Sequence, residues 1–398
     1  MAATERRRPG TLGLMTAGLS TLFGSAARAD SSLDFRTLFY GENDNRTQVV
    51  NPEIYYQNNW GEKGTLGLLL SYDSISGASP TGSVPTLDAT ASASSSGTIP
   101  KAEYTDTRKA VGVNFGRKLG AHLPSVNLSY SKENDYLSRG VSLVDSWEMF
   151  GKRSTLHFGF GRTWDDINPM NMTESFTKDS RSYSLGWTQV LGPRDLLDFS
   201  LGLDQLSGYL TDPYKVVTVA GVDQPEIRPD ARSRKTFVLK YGHYFMSKTA
   251  FKPSFRYYWD DWGVKATTLG FDLDHRLGSN LIVSPHLRLY QQSAASFFAF
   301  EFPNAQPAMT SDYRLSSFWS WEAGLGCSVA LNEKVSLNLA AAYQSQTGLD
   351  RYTPPQPIVP LSLMTRQEDD GGGEGGPTSL SAADMSVFTA TVGFSFKF

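Results

Sequence analysis

The chain has 398 residues, a formal charge of −3, 12% aromatic residues and one cysteine. A near-neutral balance with no basic patch argues against a nucleic-acid partner. The lone Cys327 excludes an intrachain disulfide framework, a C-x-x-C redox motif and cysteine zinc sites.

The N-terminus reads as an export signal: a basic MAATERRRPG, an apolar TLGLMTAGLSTLFGSA, then ARAD with a small-x-small site at Ala27–Ala29. Cleavage is expected after Ala29, leaving Asp30 first. Residues 1–29 carry four Arg and one Glu, so the remaining chain sits near −6. Arg6–Arg8 would suit a twin-arginine signal. The general secretory route is preferred, because a barrel must cross the inner membrane unfolded. Beyond the signal no run of about 18 uncharged apolar residues predicts a transmembrane helix.

Segments with period-two alternation of apolar and polar residues predict strands. The first two are Leu33–Glu42 and Thr47–Trp60. Thr65–Ser76 follows, with Leu66, Leu68, Leu70 and Tyr72 on one face and Gly67, Ser71 and Asp73 on the other. A Ser/Ala/Thr/Pro/Gly-rich stretch, Gly77–Glu103, reads as a loop. Tyr104–Gly116, Ser125–Leu137, Val141–Phe150 and Arg153–Arg162 come next, then a loop Thr163–Lys178. Arg181–Leu191, Asp195–Gly208, Arg232–Met246, Thr249–Trp259, Val264–Arg276 and Leu281–Gln292 continue the series. A loop to about Leu315 precedes Ser316–Ala330 and Lys334–Gln346. The longest loop, Thr347–Ala383, contains DGGGEGG and no calcium-repeat spacing. Asp384–Phe398 is the final strand, with Phe388, Ala390, Val392, Phe394, Phe396 and Phe398 on one face.

The expected fold is all-β: a transmembrane antiparallel up-and-down barrel of about 16 strands (14–18) in a single domain, residues 30–398. Connectors near 61–64, 118–122, 151–152, 191–194, 246–248, 277–279 and 331–333 are tight, and most of the others are long. Short periplasmic turns and long extracellular loops produce that pattern. The alternative is a soluble β-sandwich, which would not sort its loops by parity. The aromatic final strand predicts an assembly signal at Phe394, Phe396 and Phe398. The implied partners are outer-membrane lipid, lipopolysaccharide and the barrel-assembly machinery. The location is then the bacterial outer membrane.

Five stretches resemble a bacterial outer-membrane family, domain of unknown function 3570. They are DSISGASP (Asp73–Pro80), RTWDDINP (Arg162–Pro169), LSGYLTDPYK (Leu206–Lys215), FRYYWDDWGVKATTL (Phe255–Leu269) and SDYRLSSF (Ser311–Phe318). The resemblance implies no catalytic residues. It does imply a periplasmic redox partner, since members of the family are encoded near flavin-transferase and thioredoxin-like proteins.

Parity places charges inside the barrel along its second half. Asp198 and Asp204 are followed by Lys240, then Lys252 and Arg256, then Asp272 and Asp274, then His286 and Arg288, then Glu322. Lys240, Arg256, Asp272, His286, Arg288 and Glu322 form a candidate lumen constriction that would select ions or small solutes. A ladder of cross-strand ion pairs that packs the lumen is the competing reading. DDWG (Asp260–Gly263) and TDPYK (Thr211–Lys215) have carboxylates for a cation, but turn chemistry accounts for them and is preferred. No metal or other cofactor is expected. A hydrolase would need Ser and His close on adjacent strands, and G-x-S-x-G is absent, so no enzyme is expected. Cys327 falls on the apolar face. A channel, a scaffold for a periplasmic partner, and an enzyme remain as function classes, in that order.

Overall fold

The computed structural model of the chain describes residues 31–61, 63–84, 86–87, 97–353 and 379–398. The predicted export signal, the tip of the first long loop and most of the Thr347–Ala383 loop, including DGGGEGG, lie outside them. Sixteen antiparallel strands close into a barrel. In chain order they are β1 Ser31–Glu42, β2 Thr47–Asn59, β3 Gly64–Pro80, β4 Lys101–Arg117, β5 Ser125–Lys132, β6 Tyr136–Met149, β7 Ser154–Ile167 and β8 Phe176–Gly192. The second half is β9 Asp195–Gly208, β10 Ala231–Phe245, β11 Thr249–Asp260, β12 Lys265–Leu277, β13 Leu281–Gln292, β14 Phe318–Ala330, β15 Val335–Gly348 and β16 Met385–Lys397.

Alternation is the cause of the closure. In register, Phe35 of β1 faces Ile54 on β2 and Phe394 on β16, so apolar residues meet apolar residues all around the outer wall. Phe35, Leu70, Phe115, Leu128, Phe158, Trp187, Leu287 and Phe394 are all exposed on that wall. A belt of this size is unfavourable in water and favourable in lipid. The opposite face is polar, as Asp34, Arg36, Ser395 and Gly393 show at the β1–β16 seam. The seam is completed by reciprocal backbone bonds between Ser31 and Phe398, 3.0 and 3.1 Å.

Both termini of the barrel wall lie on one rim. There the β2–β3, β4–β5, β6–β7, β8–β9, β10–β11, β12–β13 and β14–β15 connections are all tight. The other rim, called outer below, carries the long loops and three short connections, at 43–46, 133–135 and 261–264.

The strand count agrees with the sequence expectation, and several boundaries do not. β5 stops at Lys132 instead of Leu137, because Glu133–Asp135 forms a turn and β6 begins at Tyr136. β7 and β8 extend to Ile167 and from Phe176, which shortens the loop expected at Thr163–Lys178. β3 and β4 run into the predicted Gly77–Glu103 loop, reaching Pro80 and starting at Lys101. These polar ends pair above the apolar belt, where alternation no longer reports two media. Gly77 is needed there: its φ is +145°, and a Cβ would meet the Arg46 carbonyl oxygen at 1.5 Å.

The buried apolar clusters among the described residues sit at the outer end. One joins Leu206, Leu210, Trp262, Val264, Ala295 and Leu315. Another joins Tyr313, Phe318, Ala383, Met385 and Val387. A third joins Val217, Phe302 and Met309.

Candidate functional site

Those clusters are the underside of a cap. It is built by the β9–β10 loop, residues 209–230, and the β13–β14 loop, residues 293–317. Within it Val216–Val219 and Val222–Pro225 pair as a hairpin, and Glu301–Phe302 adds a parallel third strand. The hairpin turns at Ala220 and Gly221, φ +50° and +80°, a left-handed pair that matches the twist of a two-residue turn.

A buried ionic network holds the two loops together. Arg228 lies 2.7 Å from Glu226 and 2.7 Å from Asp312. Arg314 reaches Asp212 at 2.7 Å and also pairs with Asp312. Thr310 donates to Glu226 at 2.6 Å. Arg228, Glu226 and Asp312 are 5%, 2% and 1% exposed, so each charge depends on its partners. Burial alone would raise the Asp312 carboxyl, but Arg314 and Arg228 overcome it and hold the group below the usual carboxylate range. Burial pushes Glu226 up, against the pull of Arg228.

The cap is fastened to the rim at widely separated points. Lys215, buried, donates to Ser79 at 2.9 Å and to the Pro80 carbonyl at the end of β3. The Val216 amide donates to the Thr81 carbonyl, 3.0 Å. Tyr313 packs with Ala383 and Met385, and the Arg46 guanidinium lies 5.7 Å from its ring centre. Trp262, 4% exposed, donates to the Ala231 carbonyl at 2.8 Å, stacks under Arg232 and meets Phe297 edge-on. On the far side the Tyr214 hydroxyl donates to Asp135 in the β5–β6 turn, 2.6 Å.

The family-like stretches converge here. DSISGASP ends β3, RTWDDINP ends β7, LSGYLTDPYK leads from β9 into the cap, WDDW closes β11, and SDYRLSSF is the returning half of the cap. The carboxylates of two of them serve the protein itself. Asp260 accepts from the Val264 amide, from Tyr258 and from Arg232, and Asp261 accepts from the Ser233 amide. Asp212 accepts from the Tyr214 amide, 3.1 Å.

Beneath the cap the six predicted lumen residues all project from the inner face of β10–β14. One row of register partners runs Asp198, Lys240, Ser254, Gly270, Arg288, Glu322. Asp272 and His286 face each other one step toward the inner rim, and Arg256 lies one step toward the outer rim. Lys240, Arg256 and Asp272 are exposed, so described side chains do not fill the interior at this level. Ion pairs at this level include Lys252–Asp274 at 2.6 Å and His286–Glu322 at 3.3 Å. The His286 ring occupies space that Gly324 leaves: a Cβ there would stand 2.1 Å from the imidazole. Arg256 and Arg288 lie against the rings of Tyr258 and Tyr290, 5.6 and 5.4 Å from their centres. Neither they nor Lys240 pairs with a described carboxylate.

A Ser–His contact does occur on adjacent strands. Ser146 and His157 Nδ1 are 2.9 Å apart on the inner wall of β6 and β7. The other ring nitrogen meets the Thr188 hydroxyl at 3.1 Å, and Thr188 donates to Asp198. A hydroxyl, not a carboxylate, therefore backs the imidazole directly. Cys327 faces Val283 and Leu339 on the outer wall.

Sequence reasoning missed a third feature. One carboxylate oxygen from each of Asp106, Glu133 and Asp135 lies within 4.8 Å of the others, and all three residues are buried. Burial and the Asp106 charge push the Glu133 carboxyl up to about 8. The misplaced end of β5 concealed the group, although Glu-Asn-Asp is a turn-forming sequence.

The sequence matches the family described as "Protein of unknown function (DUF3570)" over residues 12–354. No match was found among curated protein sequences. Among solved structures, a bacterial polysaccharide outer membrane secretin aligns with a TM-score of 0.50 and 9% identity, covering 94% of this chain and 100% of that one. CdiB from Acinetobacter baumannii gives 0.48 and 9%, with 93% and 61% covered. The siderophore receptor PirA from Pseudomonas aeruginosa gives 0.43 and 7%, with 83% and 58% covered. The chain thus spans about three fifths of the length of the last two. At these identities the likeness is one of fold, that of outer-membrane barrels.

Proposed function

The chain belongs to the DUF3570 family, and from that membership and the capped barrel we propose an outer-membrane conduit for ions or small solutes, closed from outside by its cap. The observation that carries this reading is the wall of exposed inner charges at Lys240, Arg256 and Asp272 under a folded lid. A barrel that served only as a lipid-embedded scaffold would gain nothing from unpaired lumen cations, which cost self-repulsion. Fixed charges within about 8 Å of a passing ion act on it before salt screens them. The cap supplies the gate, since it fastens to the rim through separate contacts on β3, β5–β6 and β11–β12.

The test is conductance in a planar bilayer, with reversal potentials across a salt gradient. Arg256→Glu with Arg288→Glu is expected to shift selectivity toward cations, since lumen substitutions tune selectivity. Asp312→Ala, which loosens the cap, is expected to raise open probability. A folded double variant with unchanged selectivity would overturn the role of these charges in selection, and a silent parent would count against the conduit.

The cap on the outer rim favours one second reading, a barrel that holds a periplasmic partner, redox or otherwise, at its inner rim. Silence of both the parent and Asp312→Ala in the bilayer, with a partner retained on purification, would select it. Neither reading includes a catalytic step.

A further inference from the structure

The Asp106, Glu133 and Asp135 carboxylates lie where β4 meets the β5–β6 turn on the outer rim. None of the three is paired with a counter-ion among the described residues. Asp106 Oδ1 accepts from the amides of Thr107 and Asn134, 2.8 and 3.3 Å, which leaves Oδ2 buried with no donor. Asp135 Oδ2 accepts from Tyr214, which leaves Oδ1 in the same condition. Glu133 is 8% exposed, and its side chain makes no hydrogen bond or ion pair with a described residue. Arg108, whose charge acts on Glu133, is committed to Asp73.

Three carboxylates converging on one point out of water repel strongly unless a proton or a cation joins them. The spacing fits one. Oxygens bound to a single calcium ion at about 2.4 Å stand no more than about 4.8 Å apart. Oxygen-only donors exclude the soft metals. The turn is also fixed without an ion, by the Glu133 amide to the Tyr136 carbonyl, 2.7 Å, and by the Asn168 amide to the Asp135 carbonyl, 2.8 Å.

We propose that Asp106, Glu133 and Asp135 bind a calcium-class divalent cation, and that the ion fastens the cap to the rim through Asp135 and Tyr214. The carboxylates supply the charge and water completes the shell. Binding fixes the Asp135 oxygen that Tyr214 needs, so cation concentration outside the cell sets how firmly this side of the cap is held. The site is independent of the lumen charges, and its existence does not require that the barrel conduct.

The experiment is calorimetric titration of the refolded full-length barrel with calcium after chelator treatment, with terbium luminescence excited through tyrosine as a second readout. One saturable site is expected, with terbium emission displaced by calcium and dimmed in Tyr214→Phe. Glu133→Gln is expected to weaken affinity by at least about tenfold, the lower end for losing even an outer-shell partner. Asp106→Asn, which keeps the amide contacts of Oδ1, provides the same test if Glu133→Gln fails to reach the heat-modifiable folded form. Absence of saturable binding in the parent, or parent-like affinity in a folded carboxylate variant, overturns the proposal.

Discussion

Tyr214 and Asp135, 79 residues apart, share a 2.6 Å hydrogen bond that joins the cap to the β5–β6 turn. The same phenol oxygen accepts from the Met170 amide at 3.0 Å, so one side chain connects three outer loops. Burial and the bond to Asp135 both push the phenol above its ordinary value. It stays a donor throughout the physiological range.

The acidic group makes stability depend on pH. Glu133 holds its proton up to about 8 when folded, against an ordinary value of 4.5. Between those limits the folded state binds more protons than the unfolded one, so stability falls as pH rises. One proton gives a slope of at most about 1.4 kcal/mol per pH unit. Unfolding midpoints in chelator at several pH values between these limits should show this decline, and Glu133→Gln should flatten it.

The cap network depends on Asp312. Asp312→Ala removes a buried partner of both Arg228 and Arg314. Removing one member of such a group typically costs about 3–5 kcal/mol. Here the loss falls on the cap and not on the barrel wall. Limited trypsin digestion should cut the variant at Lys215 or Arg314 while the barrel keeps its folded gel mobility. Equal protection of parent and variant would show that the network does not hold the cap.

Lys178 and Asp165 pair at 2.7 Å on the inner wall of β8 and β7, with Tyr136 completing the group. Their side chains are 2% and 1% exposed. Lys178→Met should destabilise the barrel by about 3–5 kcal/mol, since Asp165 is left as a buried anion. Lys178→Met with Asp165→Leu should recover much of that loss. Denaturant titration of the lipid-embedded protein separates the two outcomes.

Phe396 packs edge-on against Phe35 across the seam, and Phe398 stacks near Tyr56. Phe396→Asp, or deletion of Phe398, should lower outer-membrane yield. The direct cost of a charge near a rim is only about 0–1 kcal/mol. A large loss would therefore reflect assembly, and normal yield of both variants would refute the signal.

Export is expected to end before Asp30. N-terminal sequencing of membrane-derived protein should begin there, and retention of Met1 would contradict the reading.

Alternation in the sequence determined the barrel and the wall that each strand residue faces. It did so because a strand between lipid and water records both media in neighbouring residues, a purely local signal. Lys240, Arg256, Asp272, His286, Arg288 and Glu322 could thus be assigned to one face from parity alone, and in register they share a face of β10–β14. The cap could not be read this way. Its residues Asp212, Lys215, Glu226, Arg228 and Asp312 look like solvated turn residues, because a loop has no period and a charge in sequence shows no burial. Only the folding of 209–230 against 293–317 removes them from water and gives each its partner. The same holds for Asp106, Glu133 and Asp135, which a strand, a turn and a boundary misread by five residues bring to one point.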